Sequence, residues 1–139
     1  MEVLVDTSVW SLAFRRSKET VADTEKRLLA LLRDLIQDQR ARLIGPIRQE
    51  LLSGIRETAQ YERLRQHLRA FPDEPLGTED FEQAAVLSNH CRSRGVVGSP
   101  VDFLICAITL SRGWQILTTD GDFLSYAKSL PIQLHRTPK

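Results

Sequence analysis

The chain has 139 residues, which suits a single domain with its own core, so we expect residues 1–139 to fold as one domain. Hydrophobic residues make up 42% of the chain and charged residues 27%, a balance that argues against a disordered chain. The net charge of +1 excludes a strongly basic chain, so the total charge does not by itself indicate a nucleic-acid binder.

The N-terminal residues predict neither a signal peptide nor a membrane span, because Glu2 is acidic and only Val3 to Val5 come before Asp6. No later apolar run is long enough to cross a bilayer. Cys91 and Cys106 have no close partner and no CxxC spacing, which favours buried reduced thiols over a disulfide. We therefore expect a cytoplasmic protein that does not associate with a membrane.

The predicted elements begin with a strand that feeds a helix. Val3 to Val5 form the apolar strand, and Thr7 or Ser8 can cap a helix that runs to Phe14. From Val21 to Gln39, apolar residues recur at helical spacing beside charged residues. This pattern is typical of an amphipathic helix with one buried face.

The alternation of strands and helices continues along the chain. The further predicted elements are a strand from Ala41 to Ile44, a helix from Pro46 to Gly54, a helix from Thr58 to Ala70, an extended piece from Phe71 to Leu76, a helix capped by Thr78 that runs toward Gly95, a loop from Arg92 to Ser99, a helix from Pro100 to about Gly113, a strand from Gln115 to Thr118, a helix from Asp120 to Leu130 and a strand from Pro131 to Leu134. This order predicts an α/β fold with a mainly parallel sheet, in which ligands bind beyond the carboxyl ends of the strands.

Four carboxylates lie beside apolar segments that a folded domain would bury: Asp6, Glu50, Asp102 and Asp120. Burying an ionised carboxylate is costly unless a partner or a cation compensates its charge. If the fold brings these residues together, a shared metal site is the simplest compensation.

Each carboxylate also has a structural interpretation. Asp6 can cap the helix after the first strand, although the two hydroxyl residues that follow can serve the same helix. Glu50 can be a solvated residue on a helix, and Asp102 completes a capping-box pattern with Ser99.

Two acids compete for the last position, because Asp120 and Asp122 both follow the predicted strand from Gln115 and either can cap the next helix. Asp120 lies nearer the end of the strand. We therefore assign Asp120 to the site and give Asp122 a supporting role.

Other kinds of site are poorly supported. The three histidines show no ligand spacing for zinc, and the chain has no GxxxxGK[ST] or GxGxxG phosphate-binding motif. Its serines lack the context of a nucleophile elbow. Trp10, Phe14 and Trp114 can stack on bases, but aromatic residues at helical spacing more often belong to a core.

If the acids gather around a cation, the rest of the surface is more basic than the total charge indicates. The candidate phosphate contacts are Arg15, Arg16, Lys18, Arg48, Arg56, Arg92 and Arg94. The alternative interpretation of each is a solvated surface residue.

Four segments carry the candidate acids along the chain. They are Leu4–Trp10 (LVDTSVW), Arg48–Gly54 (RQELLSG), Pro100–Ala107 (PVDFLICA) and Leu117–Phe123 (LTTDGDF). Together these segments resemble the PIN domain family, and most closely the VapC-type toxins of bacterial and archaeal toxin–antitoxin pairs. The likeness spans nearly the whole chain, so it is more specific than any single motif.

The resemblance implies a parallel sheet sandwiched between helices and a metal-dependent endoribonuclease, the toxin of a type II toxin–antitoxin system, that hydrolyses RNA phosphodiester bonds. The residues that match the family's acidic quartet are Asp6, Glu50, Asp102 and Asp120. Thr7 or Ser8 matches the hydroxyl beside the first acid. The implied cofactor is Mg²⁺, or Mn²⁺, and the implied partners are an RNA substrate, a cognate antitoxin and a second copy of the chain in a homodimer.

Our hypothesis for the chemistry divides the work among the four acids. Asp6 and Asp120 bind the principal ion, Asp102 completes or bridges the metal site, and Glu50 positions or deprotonates the attacking water. The apolar faces from Trp10 to Phe14 and from Leu28 to Ile36 are candidates for the antitoxin contact or, equally, for the core.

Two alternative functions differ in class. The domain can be a non-catalytic module that binds RNA or protein, with the acids serving only as caps or salt-bridge partners. A phosphatase or phospho-receiver is less favoured, because Thr7 and Ser8 follow Asp6 where that chemistry places a second acid two positions on.

Overall fold

The computed structural model describes residues 1–14 and 22–135. In chain order its elements are β1 (Val3–Val5), α1 (Thr7–Phe14), α2 (Asp23–Gln37), β2 (Ala41–Arg42), α3 (Gly45–Leu52), α4 (Thr58–Leu68), α5 (Thr78–Ser93), α6 (Pro100–Arg112), β3 (Gln115–Leu117), α7 (Asp122–Ala127) and β4 (Gln133–Leu134). This arrangement confirms the predicted α/β class.

The four strands of the described residues form one parallel sheet in the order β2-β1-β3-β4. Val3 pairs with Ala41 on one side and Gln115 on the other, and Val5 pairs with Leu117. All three residues of β1 are buried, although successive side chains of a strand point to opposite faces. Both faces of this central strand are therefore covered, as expected for a parallel sheet between helices.

Several element boundaries differ from the predicted ones. The second strand was expected to reach Ile44, but Leu43 forms an isolated bridge with Asp73, so only Ala41 and Arg42 pair with β1. The same bridge confirms that the segment after Phe71 is extended. The last helix covers only Asp122–Ala127, and α2 begins at Asp23.

Thr78 was wrongly predicted to cap α5. Gly77 is the N-cap residue, and its backbone N–H donates to the Asp80 carboxylate at 2.9 Å. Thr78 is instead the first residue of the helix, and the Asp80 carboxylate satisfies the N–H group of the N-cap residue.

Helix α6 is the most deeply buried of the described helices and carries Asp102 in its first turn. Ser99 Oγ accepts from the Asp102 backbone N–H at 3.1 Å, and Pro100 occupies the first turn. Residues 103–109 are all buried. Gly113 ends the helix with a φ of 71°, a left-handed conformation that glycine adopts without strain.

Arg112, at the end of α6, binds two carboxylates. Its Nε donates to Glu74 Oε1 and its Nη1 to Asp80 Oδ1, both at 2.9 Å, and its Nη2 donates to the Pro75 carbonyl oxygen at 3.0 Å. The hydrogen bond from Arg112 holds the pKa of the Asp80 carboxyl below its usual value, and the Gly77 N–H adds to this effect. The arginine thus ties α6 to α5 and to the extended segment before α5.

The aromatic residues of α1 belong to the core. Trp10 is 1% exposed, its Nε1 donates to the Val5 carbonyl oxygen at 3.0 Å, and its ring stacks on Phe14 and meets the edge of Phe71. On α2, the buried residues are Leu28, Leu32 and Leu35. These residues favour the core interpretation over an antitoxin contact, while Ile36 remains exposed.

Cys91 and Cys106 are both free and buried, as predicted. Within residues 1–14 and 22–135, we find no helix of the length and apolarity needed to span a bilayer.

Candidate active site

The site lies where the sheet reverses its strand order. The chain leaves β1 for β2 on one side and later returns to β3 on the other, so the loops after β1 and β3 diverge at their shared edge. Open parallel sheets bind their ligands in the crevice at such a point. Asp6 directly follows β1, and Thr118 directly follows β3.

Asp6 is 8% exposed, and two hydroxyl groups hold its carboxylate. Ser8 Oγ donates to Asp6 Oδ2 at 3.0 Å, and Thr118 Oγ1 donates to the same oxygen at 2.8 Å. The Val9 backbone N–H of α1 donates to the Asp6 carbonyl oxygen and not to the Asp6 carboxylate. The side chain therefore reaches across to β3 and does not serve as the predicted alternative, a helix cap.

Thr118 connects Asp6 with Asp120, a role that sequence reasoning missed. Its Oγ1 donates to Asp6 and accepts from the Asp120 backbone N–H at 3.0 Å. The signal was the register of the sheet, because Val5 pairs with Leu117 and the next residue of each strand must then be a neighbour. That register cannot be read without knowing which strands pair.

Three of the acids form a compact cluster. Asp102, Asp120 and Asp122 each offer one carboxylate oxygen, and these oxygens all lie within 4.8 Å of one another. The Asp122 backbone N–H also donates to Asp120 Oδ1 at 2.9 Å. Asp120 thus has both roles that the sequence left open, since its carboxylate accepts from the first N–H of α7 and belongs to the cluster.

The backbone N–H and the carboxylate of Asp102 bind different partners. Its N–H is capped by Ser99, while its Oδ2 accepts a hydrogen bond of 2.6 Å from the Tyr126 hydroxyl. Only half of the predicted capping box is therefore present, and the carboxylate faces the cluster. Tyr126 was not predicted from the sequence, where it reads as an aromatic residue of a short helix.

The surroundings of Asp102 favour its neutral form. Burial raises the pKa of the Asp102 carboxyl, the hydrogen bonds from Tyr126 and Ser99 lower it, and the charges of Asp6 and Asp120 raise it further. A bound cation would offset the negative charges that surround the half-buried Asp102 carboxylate. The donor set consists of hard oxygen ligands, which Mg²⁺ and Mn²⁺ prefer, so the cluster fits such an ion.

Glu50 lies on α3, exposed and outside the three-acid cluster. Thr7 Oγ1 donates to Glu50 Oε2 at 3.1 Å, so the two hydroxyl residues of the first motif bind different acids. A cavity of about 420 Å³ lies beside Glu50 and extends to Val101, the neighbour of Asp102. Two of the four predicted acids, Asp102 and Asp120, therefore belong to the cluster, whereas Asp6 is buried and linked to Asp120 through Thr118, and Glu50 is exposed.

Of the candidate phosphate contacts, Arg48 is used inside the protein. Its guanidinium donates to Asp73 Oδ1 and to the Leu68 carbonyl oxygen, both at 3.0 Å, and to the Phe71 carbonyl oxygen. Arg56, Arg92 and Arg94 are exposed. Arg15, Arg16 and Lys18 lie outside the described residues.

Fold and site together define an α/β protein with a carboxylate site at the carboxyl edge of a parallel sheet, suited to a divalent cation. The sequence model of the PIN domain matches residues 3–129, nearly the whole chain. The chain belongs to the PIN domain family.

Curated relatives extend this similarity. VapC ribonuclease Mb1587 of Mycobacterium bovis is 29% identical over 133 residues, which cover 94% of this chain and 96% of the relative. Ribonuclease VapC11 of Mycobacterium tuberculosis has the same identity and coverage.

Solved structures have a similar fold. The FitAcB structure from Neisseria gonorrhoeae has a TM-score of 0.75 at 18% identity, with 97% of each chain covered. The VapBC2 structure from Rickettsia felis, bound to a DNA fragment, has a TM-score of 0.70 at 15% identity and covers 97% of this chain and 98% of that chain. At these identities the likeness concerns the fold alone.

Proposed function

We propose that this protein is a metal-dependent endoribonuclease and the toxin of a toxin–antitoxin pair. The observation that carries this proposal is the convergence of Asp102, Asp120 and Asp122, with one carboxylate oxygen of each within 4.8 Å of the others, at the edge where Asp6 follows β1. Further support comes from membership of the PIN domain family and from relatives named as VapC ribonucleases.

The proposed ligands of a Mg²⁺ or Mn²⁺ ion are Asp102 and Asp120, joined by Asp6 or Asp122. When bound, the ion would acidify a water molecule and offset the charge that develops on the phosphate. Asp6 keeps its carboxylate fixed through Ser8 and Thr118, so its negative charge stays at the end of β1.

Glu50 is the proposed residue that positions or deprotonates the attacking water. It is exposed, and Thr7 restricts its side chain through a hydrogen bond of 3.1 Å. A carboxylate outside the cluster can accept a proton without losing a cation ligand, which suits a general base.

For the partners, we propose a single-stranded RNA substrate, a cognate antitoxin and a homodimer. The support is the resemblance to VapC-type toxins. A basic segment of the antitoxin would enter the acidic site and block RNA, so an antitoxin complex that cleaves RNA at the full rate contradicts this part of the proposal.

The proposal is tested by incubating the purified protein with total RNA, with Mg²⁺ or with a chelator, and mapping the new RNA ends. We expect discrete cuts only with Mg²⁺. Asp6→Asn should abolish them while the fold is retained, because the amide removes the charge but keeps the shape of the side chain. The matched control is Asp34→Asn, which makes the same change on the exposed part of α2 and should cleave normally.

Cleavage by Asp6→Asn at the normal rate would contradict the role of Asp6. RNA binding without cleavage by the unaltered protein would favour the alternative, a non-catalytic binding module.

A further inference from the structure

We propose that Tyr126 is a positioning residue that fixes the Asp102 carboxylate for metal binding, and that residue 98 must be glycine to admit the Tyr126 ring. This inference deepens the proposed function and rests on its metal site. It assigns roles to two residues outside the acidic motifs.

The first observation is the contact itself. The Tyr126 hydroxyl donates to Asp102 Oδ2 at 2.6 Å, a distance typical of a strong hydrogen bond to a carboxylate. The Tyr126 side chain is completely buried. Its ring lies 4.9 Å from that of Phe103 and meets the Phe123 ring edge-on at 5.2 Å, between centroids. The ring is therefore held on two sides, and its hydroxyl has a fixed place.

The second observation concerns the space at Gly98. A Cβ atom built at this position would lie 2.7 Å from Tyr126 Cζ and 2.9 Å from Cε1, and would overlap the hydroxyl oxygen. These atoms belong to a packed ring that cannot swing aside, so a larger residue must displace either the ring or its own backbone. The Tyr126 hydroxyl thus occupies the space that a side chain at residue 98 would need.

The third observation is where the hydrogen bond lies in the fold. Asp102 belongs to α6, while Tyr126 lies on α7, the helix that begins at Asp122. The bond therefore joins the two segments that supply the acidic cluster. It sets the position of Asp102 relative to Asp120 and Asp122, and a carboxylate that accepts one hydrogen bond retains lone pairs for a cation.

The test measures Mn²⁺ binding to the metal-free full chain by calorimetry, without RNA. Tyr126→Phe removes only the hydroxyl oxygen, and we expect Mn²⁺ affinity to fall about 10- to 100-fold, as when other outer partners of metal ligands are removed. The matched control is Tyr61→Phe on α4, the same change at the chain's other tyrosine, which should leave the affinity unchanged.

A second control separates positioning from a general loss of stability. Leu35→Ala removes a buried side chain of α2 and should lower the melting temperature while leaving Mn²⁺ affinity intact. Equal loss of affinity in Leu35→Ala and Tyr126→Phe would overturn the inference, since a merely structural tyrosine would behave in this way.

Gly98→Ala should weaken Mn²⁺ binding as Tyr126→Phe does, whereas Gly45→Ala, whose Cβ would meet only Asp73 Oδ2 at 3.9 Å, should bind normally. If Gly98→Ala does not fold, Tyr126→Phe still tests the inference.

Wild-type affinity in Tyr126→Phe overturns this inference and leaves the ribonuclease proposal standing. A wild-type protein that binds no Mn²⁺ overturns both, and Mn²⁺ binding without RNA cleavage overturns only the ribonuclease.

Discussion

At the scale of single residues, the hydroxyl of Thr118 makes hydrogen bonds to both Asp6 and Asp120. It donates to Asp6 and accepts from the Asp120 backbone, so one side chain holds the ends of β1 and β3 together. Thr118→Val keeps the shape of the side chain but removes both hydrogen bonds. We expect RNA cleavage to fall about tenfold or more with the fold retained, measured as the initial rate on one RNA substrate.

The control for this change is Thr119→Val, an identical substitution at the next, exposed residue. Unchanged cleavage in Thr118→Val, or an equal loss in Thr119→Val, would rule out the connecting role.

Single residues also differ in how well the sequence predicts them. Asp6 could be predicted because its place depends only on the apolar strand before it. Tyr126 could not, because its role depends on a contact with Asp102 across 24 positions of the chain and on the missing side chain at Gly98. Patterns along a sequence carry local periodicity, while such contacts depend on the packing of α6 against α7.

At the scale of elements, Arg112 joins α6 to Asp80 of α5 and to Glu74 of the extended segment before it, two carboxylates that are mostly shielded from water. The exposed fractions are 22% for Arg112, 25% for Glu74 and 13% for Asp80. Arg112→Met should lower the free energy of unfolding by about 1–3 kcal/mol at neutral pH, because both acids lose a charged donor. Urea unfolding measures this loss, and Arg33→Met, an exposed position on α2, should have little effect.

The same contact predicts how stability depends on pH. The Arg112 hydrogen bond lowers the pKa of Asp80, so folding favours its ionised form. This stabilisation is fully present above the ordinary carboxyl pKa of about 3.9 and is lost as the pH falls through the lower value of the folded state. The difference in unfolding free energy between wild type and Arg112→Met should therefore shrink below about pH 4. A difference that stays constant or grows on acidification contradicts this explanation.

The boundaries of elements were harder to predict than their order. The apolar residues Leu43 and Ile44 continue the pattern of a strand, yet Leu43 pairs with Asp73 rather than with β1. Periodicity reports which side chains are buried but not which backbone they bond to, so β2 was predicted too long.

At the scale of the whole molecule, the order of strands and helices sufficed to predict a parallel sheet and a site at its carboxyl edge. The arrangement within the site was less predictable. Asp122, expected only to support, lies in the cluster, whereas Glu50 lies outside it on the exposed part of α3. These placements depend on how the loops after β3 and before α6 approach each other.

Binding of a cation at the cluster should stabilise the entire fold. A ligand that binds only the folded state adds about 2.7 kcal/mol when present at 100 times its dissociation constant. We therefore expect excess Mn²⁺ to raise the melting temperature of the wild type and of Asp34→Asn. Asp102→Asn should lose most of this increase in a thermal unfolding scan, and an undiminished increase would locate the ion elsewhere.

The central position of β1 has a consequence for synthesis. This first strand is completed on one side by β3, whose residues Gln115–Leu117 leave the ribosome long after β1, and Asp120 and Asp122 follow later still. A nascent chain that already exposes Asp6 and Glu50 therefore has β2 beside β1 but lacks both β3 and the acidic cluster. The acidic cluster can therefore form only after Asp120 and Asp122 have been translated, so shorter nascent chains lack the proposed cation site.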